Sequence, residues 1–146
     1  MEIRSRPAAS SLAEAAAGLG IAEHDIVKTI VVKRHTPQGA PPAYLFALVP
    51  GGRRISWARL RTVVGVNKLR MPEPELALEA TGYERGAIVP IGSTHDWPVF
   101  AGSSIIGRRI AMGAGTRGYS LFVDADDLIA AYNATVADIS EPEERA

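Results

Sequence analysis

Cysteine is absent from the 146 residues, which removes disulfides, thiolate metal ligands and a cysteine nucleophile in one step. That fits a reducing compartment, with a cytosolic home as the default. No window approaches the length of a membrane span, and the first residues, "MEIRSRPAASSLAEAAAGLG", carry acidic side chains among their alanines. Neither export nor a membrane partner is expected. Net charge is zero and the pI about 6.8, which argues against a broad nucleic-acid-binding field.

Acidic residues are also missing locally: residues 26–72 hold no Asp or Glu. They hold Lys28, Lys33, Arg34, Arg53, Arg54, Arg59, Arg61, Lys68 and Arg70, while Asp126, Asp127, Asp138, Glu141, Glu143 and Glu144 gather towards the C-terminus. A polyanion could be met locally, or the charges could simply be solvated on separate faces. With 47% hydrophobic residues, the length suits one domain with a real core. We read it as residues 1–140, followed by a disordered acidic tail at 141–146.

The order of elements follows from caps and periodicity. Ser11 and Glu14 have capping-box spacing and start an alanine-rich helix that ends at Gly18 or Gly20. Two β-rich runs, 27–33 and 43–49, are separated by "RHTPQGAPP" and pair as an antiparallel hairpin. Ser56 starts a helix stopped by Gly65, with Trp57, Leu60 and Val64 along one face. "NKLRM" reads as a short strand, "EPELALEATG" as a helix and "GAIVPIG" as a loop or irregular strand. "RRIAM" and "YSLFV" read as strands about a glycine turn, and Asp124 caps the last helix, "ADDLIAAYNA". Strands and helices interspersed without regular βαβ units indicate a mixed α+β domain.

Lys28 stands out because "DIVKTIVVK" is otherwise a strand whose two faces both look buried. Such a lysine either snorkels from the strand edge or points into a pocket. Other motifs weaken on inspection. "GAGTRG", at 113–118, spells GxGxxG but precedes a strand rather than a helix, so a glycine turn is the better reading. Ser93, His95 and Asp96 supply triad residue types within one turn, whereas a triad converges from separate segments. His24, His35 and His95 are scattered, and neither metal nor organic cofactor is suggested. In "TGYERGAIVPIG", Gly86 and Pro90 give a GxxxP spacing that can present backbone N–H groups to a small ligand.

Taken in order, "IVKTIVV", "ALVPGGRRISWARLRTVVG", "ATGYERGAIVPIG", a GxG turn and "DDLIAAYNATVADI" resemble the YbaK and ProRS-editing-domain family of aminoacyl-tRNA deacylases. Within it they look more like the free-standing YbaK branch than the ProXp-ala branch. The resemblance implies an α+β domain with a curved, partly barrel-like mixed sheet and flanking helices. Its pocket takes the 3′ end of a mischarged tRNA, with proline identity and Cys or Ala as the expected cargo. An aminoacyl-tRNA synthetase is a possible partner. By the same resemblance, Lys28 holds the terminal adenosine and the ester, with Thr29 beside it. Gly86, Ala87, Ile88 and Pro90 hold the aminoacyl group, and Gly113 and Gly115 form a pocket wall. The chain departs from the family in having only "MEIRSRPAAS" where a helix and short strand usually form one wall, and in carrying Gly113 and Ser120 in place of a serine and an aspartate. Both departures bear on substrate choice.

Overall fold

The computed structural model describes residues 1–5, 8–9, 11–83, 87–116 and 118–143. Helix α1 (Leu12–Leu19) begins where Ser11 Oγ accepts from the Glu14 N–H at 3.1 Å and ends at Gly20, whose left-handed φ of 70° suits a residue without Cβ. Strands β2 (Val27–Arg34) and β3 (Ala43–Pro50) form the expected antiparallel hairpin, in register from Val27↔Pro50 to Arg34↔Ala43. Helix α2 (Trp57–Val64) is capped by Ser56 and closed at Gly65. Helix α3 (Pro74–Thr81), with proline at its first position, closes at Gly82.

The hairpin is the centre of a five-stranded mixed sheet. Strand β5 (Leu69–Arg70) pairs antiparallel with the end of β2. On the other side β3 pairs parallel with β6 (Val99–Gly102), and β6 with β9 (Thr135–Ala137). A second, antiparallel sheet has the order β1-β8-β7, from β1 (Glu2–Ser5), β7 (Arg109–Gly113) and β8 (Tyr119–Asp124). Strands β4 (Arg53–Ile55) and β10 (Ser140–Pro142) form a separate pair. Helix α4 (Ala125–Tyr132) follows β8 directly.

Two faces of the large sheet are buried in different ways. Val27, Val31, Phe46 and Leu48 pack on one side with residues of β7, β8, α3 and α4. Val32, Leu45, Ala47 and Val49 pack on the other with Ile55, Leu60 and Ile139. Burial on both faces explains why the hairpin reads as nearly continuous hydrophobic runs.

Three expectations change. The partly barrel-like sheet does not close: Ile26, the residue before β2, meets Ala111 of β7 through an isolated parallel bridge. The tail does not begin at 141, because Glu141 and Pro142 belong to β10, held in register against Arg54 and Arg53 of β4; residues 144–146 lie outside the described ones. Asp124 occupies the N-cap position of α4 without a capping hydrogen bond, its carboxylate lying 3.9 Å from Arg109 Nη1.

Candidate active site

A cleft of about 1240 Å³ runs along the open edge of β2. Leu12, Ala15 and Leu19 of α1 form one wall, and Met71, Pro72 and Ala77 another. Met112 and Gly113 of β7 and Ser120 of β8 close its end. The lining is mostly apolar, and Lys28 is the one titratable side chain among the described lining residues.

The edge is open because β5 covers only Lys33 and Arg34 of the eight β2 residues. The Phe46 N–H donates to Pro98 O at 2.8 Å, away from β2. In an antiparallel pair its partner Val31 therefore turns its own peptide groups away from β3, and by the alternation of the ladder so does Thr29. Those backbone donors and acceptors face the cleft. Thr29 Oγ1 is buried and lacks a hydrogen-bond partner among the described residues. A buried hydroxyl without a partner is unfavourable and marks a position worth a functional account.

Lys28 is exposed and lines the cleft, with no carboxylate in ion-pair contact among the described residues. It shares its strand face with Ile30 and Val32.

The loop and the glycine turn, read separately in the sequence, converge. Gly115 N–H donates to Ala87 O at 2.9 Å. A Cβ at Gly113 would sit 2.8 Å from Ile88 O and 3.0 Å from Ala87 O, so only glycine lets the loop lie this close to β7. Of the expected loop residues, Ile88 reaches the cleft while Ala87 and Pro90 are buried behind it. Gly113 lines the cleft and Gly115 backs it, against the Tyr83 ring. Tyr83 Oη in turn donates to Ile91 O at 2.7 Å and fixes the far end of the loop. Gly86 lies outside the described residues.

The decoys have structural employment. The glycine-containing segment lies between the antiparallel strands β7 and β8 rather than before a helix. His95 stacks on Trp97 with ring centroids 5.0 Å apart, and its Nδ1 lies 3.2 Å from Ala80 O, to which Trp97 Nε1 also donates at 2.9 Å. No group of three or more His, Asp or Glu among the described residues is placed to hold a metal.

Sequence reasoning passed over the wall supplied by α1, with Ala8 and Ala9 before it. Described residues ahead of Ser11 therefore do contribute, residues 2–5 as β1 against β8 and Ala8 and Ala9 as cleft lining. The available signal was an apolar stripe, Leu12, Ala15 and Leu19, on a helix with little else to cover it.

Residues 6–131 match the profile of the aminoacyl-tRNA editing domain, and the chain belongs to that family. A proline–tRNA ligase of Shouchella clausii is 31% identical over 120 residues, covering 82% of this chain and 20% of the ligase. That of Geobacter sp. strain M21 is 30% identical over 109 residues, covering 75% and 18%. The chain thus spans no more than about 20% of the length of these curated relatives. Among solved structures, a candidate trans-editing enzyme for prolyl tRNA synthetase superposes with a TM-score of 0.82 at 26% identity, over 96% of this chain and 86% of that one. The hypothetical protein APE2540 superposes with a TM-score of 0.84 at 25% identity, over 96% and 91%. Among the described residues no helix is long and apolar enough to cross a membrane.

Proposed function

We propose that the chain is a trans-editing hydrolase that cleaves the ester of mischarged aminoacyl-tRNA, with proline-identity tRNA carrying Cys or Ala as the substrate. A cytosolic setting and contact with an aminoacyl-tRNA synthetase go with that reading. The observation that carries it is the convergence, on one cleft of an editing-domain fold, of Lys28, the open β2 edge at Thr29, Ile88 and Gly113.

The chemistry asks little of acid–base side chains, because an aminoacyl ester is already activated. Water adds to the ester carbonyl, the carbon–oxygen bond to the ribose breaks, and the proton lost by water ends on the ribose oxygen. The products are a free amino acid and a tRNA with its terminal hydroxyl restored. Lys28 supplies a fixed cation for the substrate end and for charge developing on the carbonyl oxygen. Ile88 and Gly113 present backbone to the aminoacyl group, with Ala87, Pro90 and Gly115 holding them from behind and Gly86 assigned to the same loop. One preorganised donor to an oxyanion is worth about 3 kcal/mol, and positioning adds to it.

A second reading, a catalytically silent module that binds tRNA 3′ ends, nucleotides or amino acids, draws support from the single titratable group among the described lining residues. Incubation with aminoacylated tRNA separates the two: release of deacylated tRNA supports the hydrolase, and recovery of intact aminoacyl-tRNA from a saturable complex supports the module.

A further inference from the structure

Within the basic stretch of residues 26–72, the fold gives two groups of side chains different fates. Arg53 Nε donates to Ser140 Oγ at 2.7 Å, and its Nη2 donates to Ser140 O at 2.9 Å. Arg59 Nη1 donates to the same carbonyl at 2.6 Å and lies 3.3 Å from Asp138 Oδ2. Arg54 pairs with Glu141 at 3.1 Å. These three arginines pin β10 to β4 and α2, and the C-terminal acids neutralise them.

Lys33, Arg34, Lys68 and Arg70 have no such partners. None lies within 4.0 Å of a carboxylate among the described residues. Lys33 and Arg70 are register partners across the β2–β5 pair, and like charges directly opposite on a sheet are unfavourable in the free protein. An anion held between them would relieve that repulsion. The acids on the next element are Glu73, at the N-cap of α3, and Glu75 and Glu79 within it; burial raises the Tyr44 hydroxyl above its usual range, with Glu79 adding to that shift and Arg70 opposing it. Along the strand pair Lys33 and Arg70 lie on one face of the sheet and Arg34 on the other, so the basic side chains flank the edge from both sides.

That edge leads into the cleft. Strand β5 runs on into Met71 and Pro72, which line it. Lys28 lies five residues back along β2, about 17 Å at the usual strand rise. We propose that Lys33, Arg34, Lys68 and Arg70 are the RNA-contacting edge of this cleft, taking the phosphates of the strand whose 3′ end carries the ester, while Arg53, Arg54 and Arg59 take no part. The proposal rests on the ester-site reading for the direction in which the strand enters.

The test measures binding of uncharged proline-identity tRNA by fluorescence anisotropy over a salt series. It compares wild type, the Lys33→Gln/Arg70→Gln double variant and Arg54→Gln. Each lost phosphate contact flattens the slope of log affinity against log salt by roughly 0.7 to 0.9. The double variant is expected to bind at least tenfold more weakly at low salt, with a slope flatter by about 1.5. Its melting temperature should not fall, since a like-charge pair has been removed. Arg54→Gln should bind within twofold of wild type. Unchanged binding by the double variant, or an equal loss in Arg54→Gln, would overturn the assignment. Wild-type turnover of an aminoacyl-adenosine, which has no phosphates for the basic edge to hold, reports on the ester site alone. Absence of that turnover together with a flattened slope would sink the hydrolase reading and uphold the basic edge.

Discussion

Strand β2 has two edges with opposite fates. Towards β3 it is paired along all eight residues, and the hairpin so formed is buried on both faces. Away from β3 it is paired only at Lys33 and Arg34, and the rest of that edge looks into the cleft. A single strand thus serves as scaffold on one side and borders the candidate site on the other. The closed edge fixes the position of Lys28 and Thr29 to within the precision of a packed core, which is what a site acting by preorganised donors requires.

Breaking the closed edge should cost most in stability. Phe46→Ala removes a ring that is 1% exposed in the centre of the core, and an unfolding free energy lower by about 3–5 kcal/mol is expected in urea titration. A loss below 1 kcal/mol would mean the hairpin is not the anchor described. On the open edge, Lys28→Ala should cost activity instead: deacylation slower by about a hundredfold or more, with the melting temperature within a degree or two of wild type.

Gly113→Ala tests the join between loop and turn. Its Cβ would meet Ile88 O at 2.8 Å, so the loop must shift. A stability loss of about 1–3 kcal/mol is expected, with slower deacylation because Ile88 leaves its place. Wild-type turnover and stability would show that the close approach does not matter. Thr29→Val should do least to the fold, exchanging a buried hydroxyl that has no partner among the described residues for a methyl group. Stability unchanged or higher by up to about 1 kcal/mol is expected. A clear drop would show that the hydroxyl has a partner in the free protein.

Much of the scaffold was legible because its signals are local. Ser11, Ser56, Gly20, Gly65 and Gly82 mark the ends of α1, α2 and α3 where expected, and the β2–β3 hairpin announces itself by composition. Strands β1, β4, β6 and β10 carry no such signal. "EIRS", "RRI", "VFAG" and "SEP" are too short for a period, and each is a strand only because a partner far along the chain makes it one. Nor does the charge segregation show which charges meet, for the same reason: Arg54 and Glu141 are 87 residues apart in sequence and 3.1 Å apart in the fold.

The site was legible in its pieces rather than in its assembly. No pattern in "GAIVPIG" or "GAGTRG" says that they touch; the resemblance supplied that both face one pocket, and Gly113 and Gly115 supply the physical reason. The helical wall at Leu12 and Ala15 and the open peptide groups at Thr29 belong to tertiary geometry, which the residue order does not spell out.

The most direct test of the ester-site account is a deacylation time course of wild type and Lys28→Ala on proline-identity tRNA charged with alanine, with cysteine and with proline. The account predicts rapid loss of one mischarged species by wild type, sparing of prolyl-tRNA, and near-complete loss of activity in a variant that melts normally. Lys28→Ala turning over that species at the wild-type rate would contradict it.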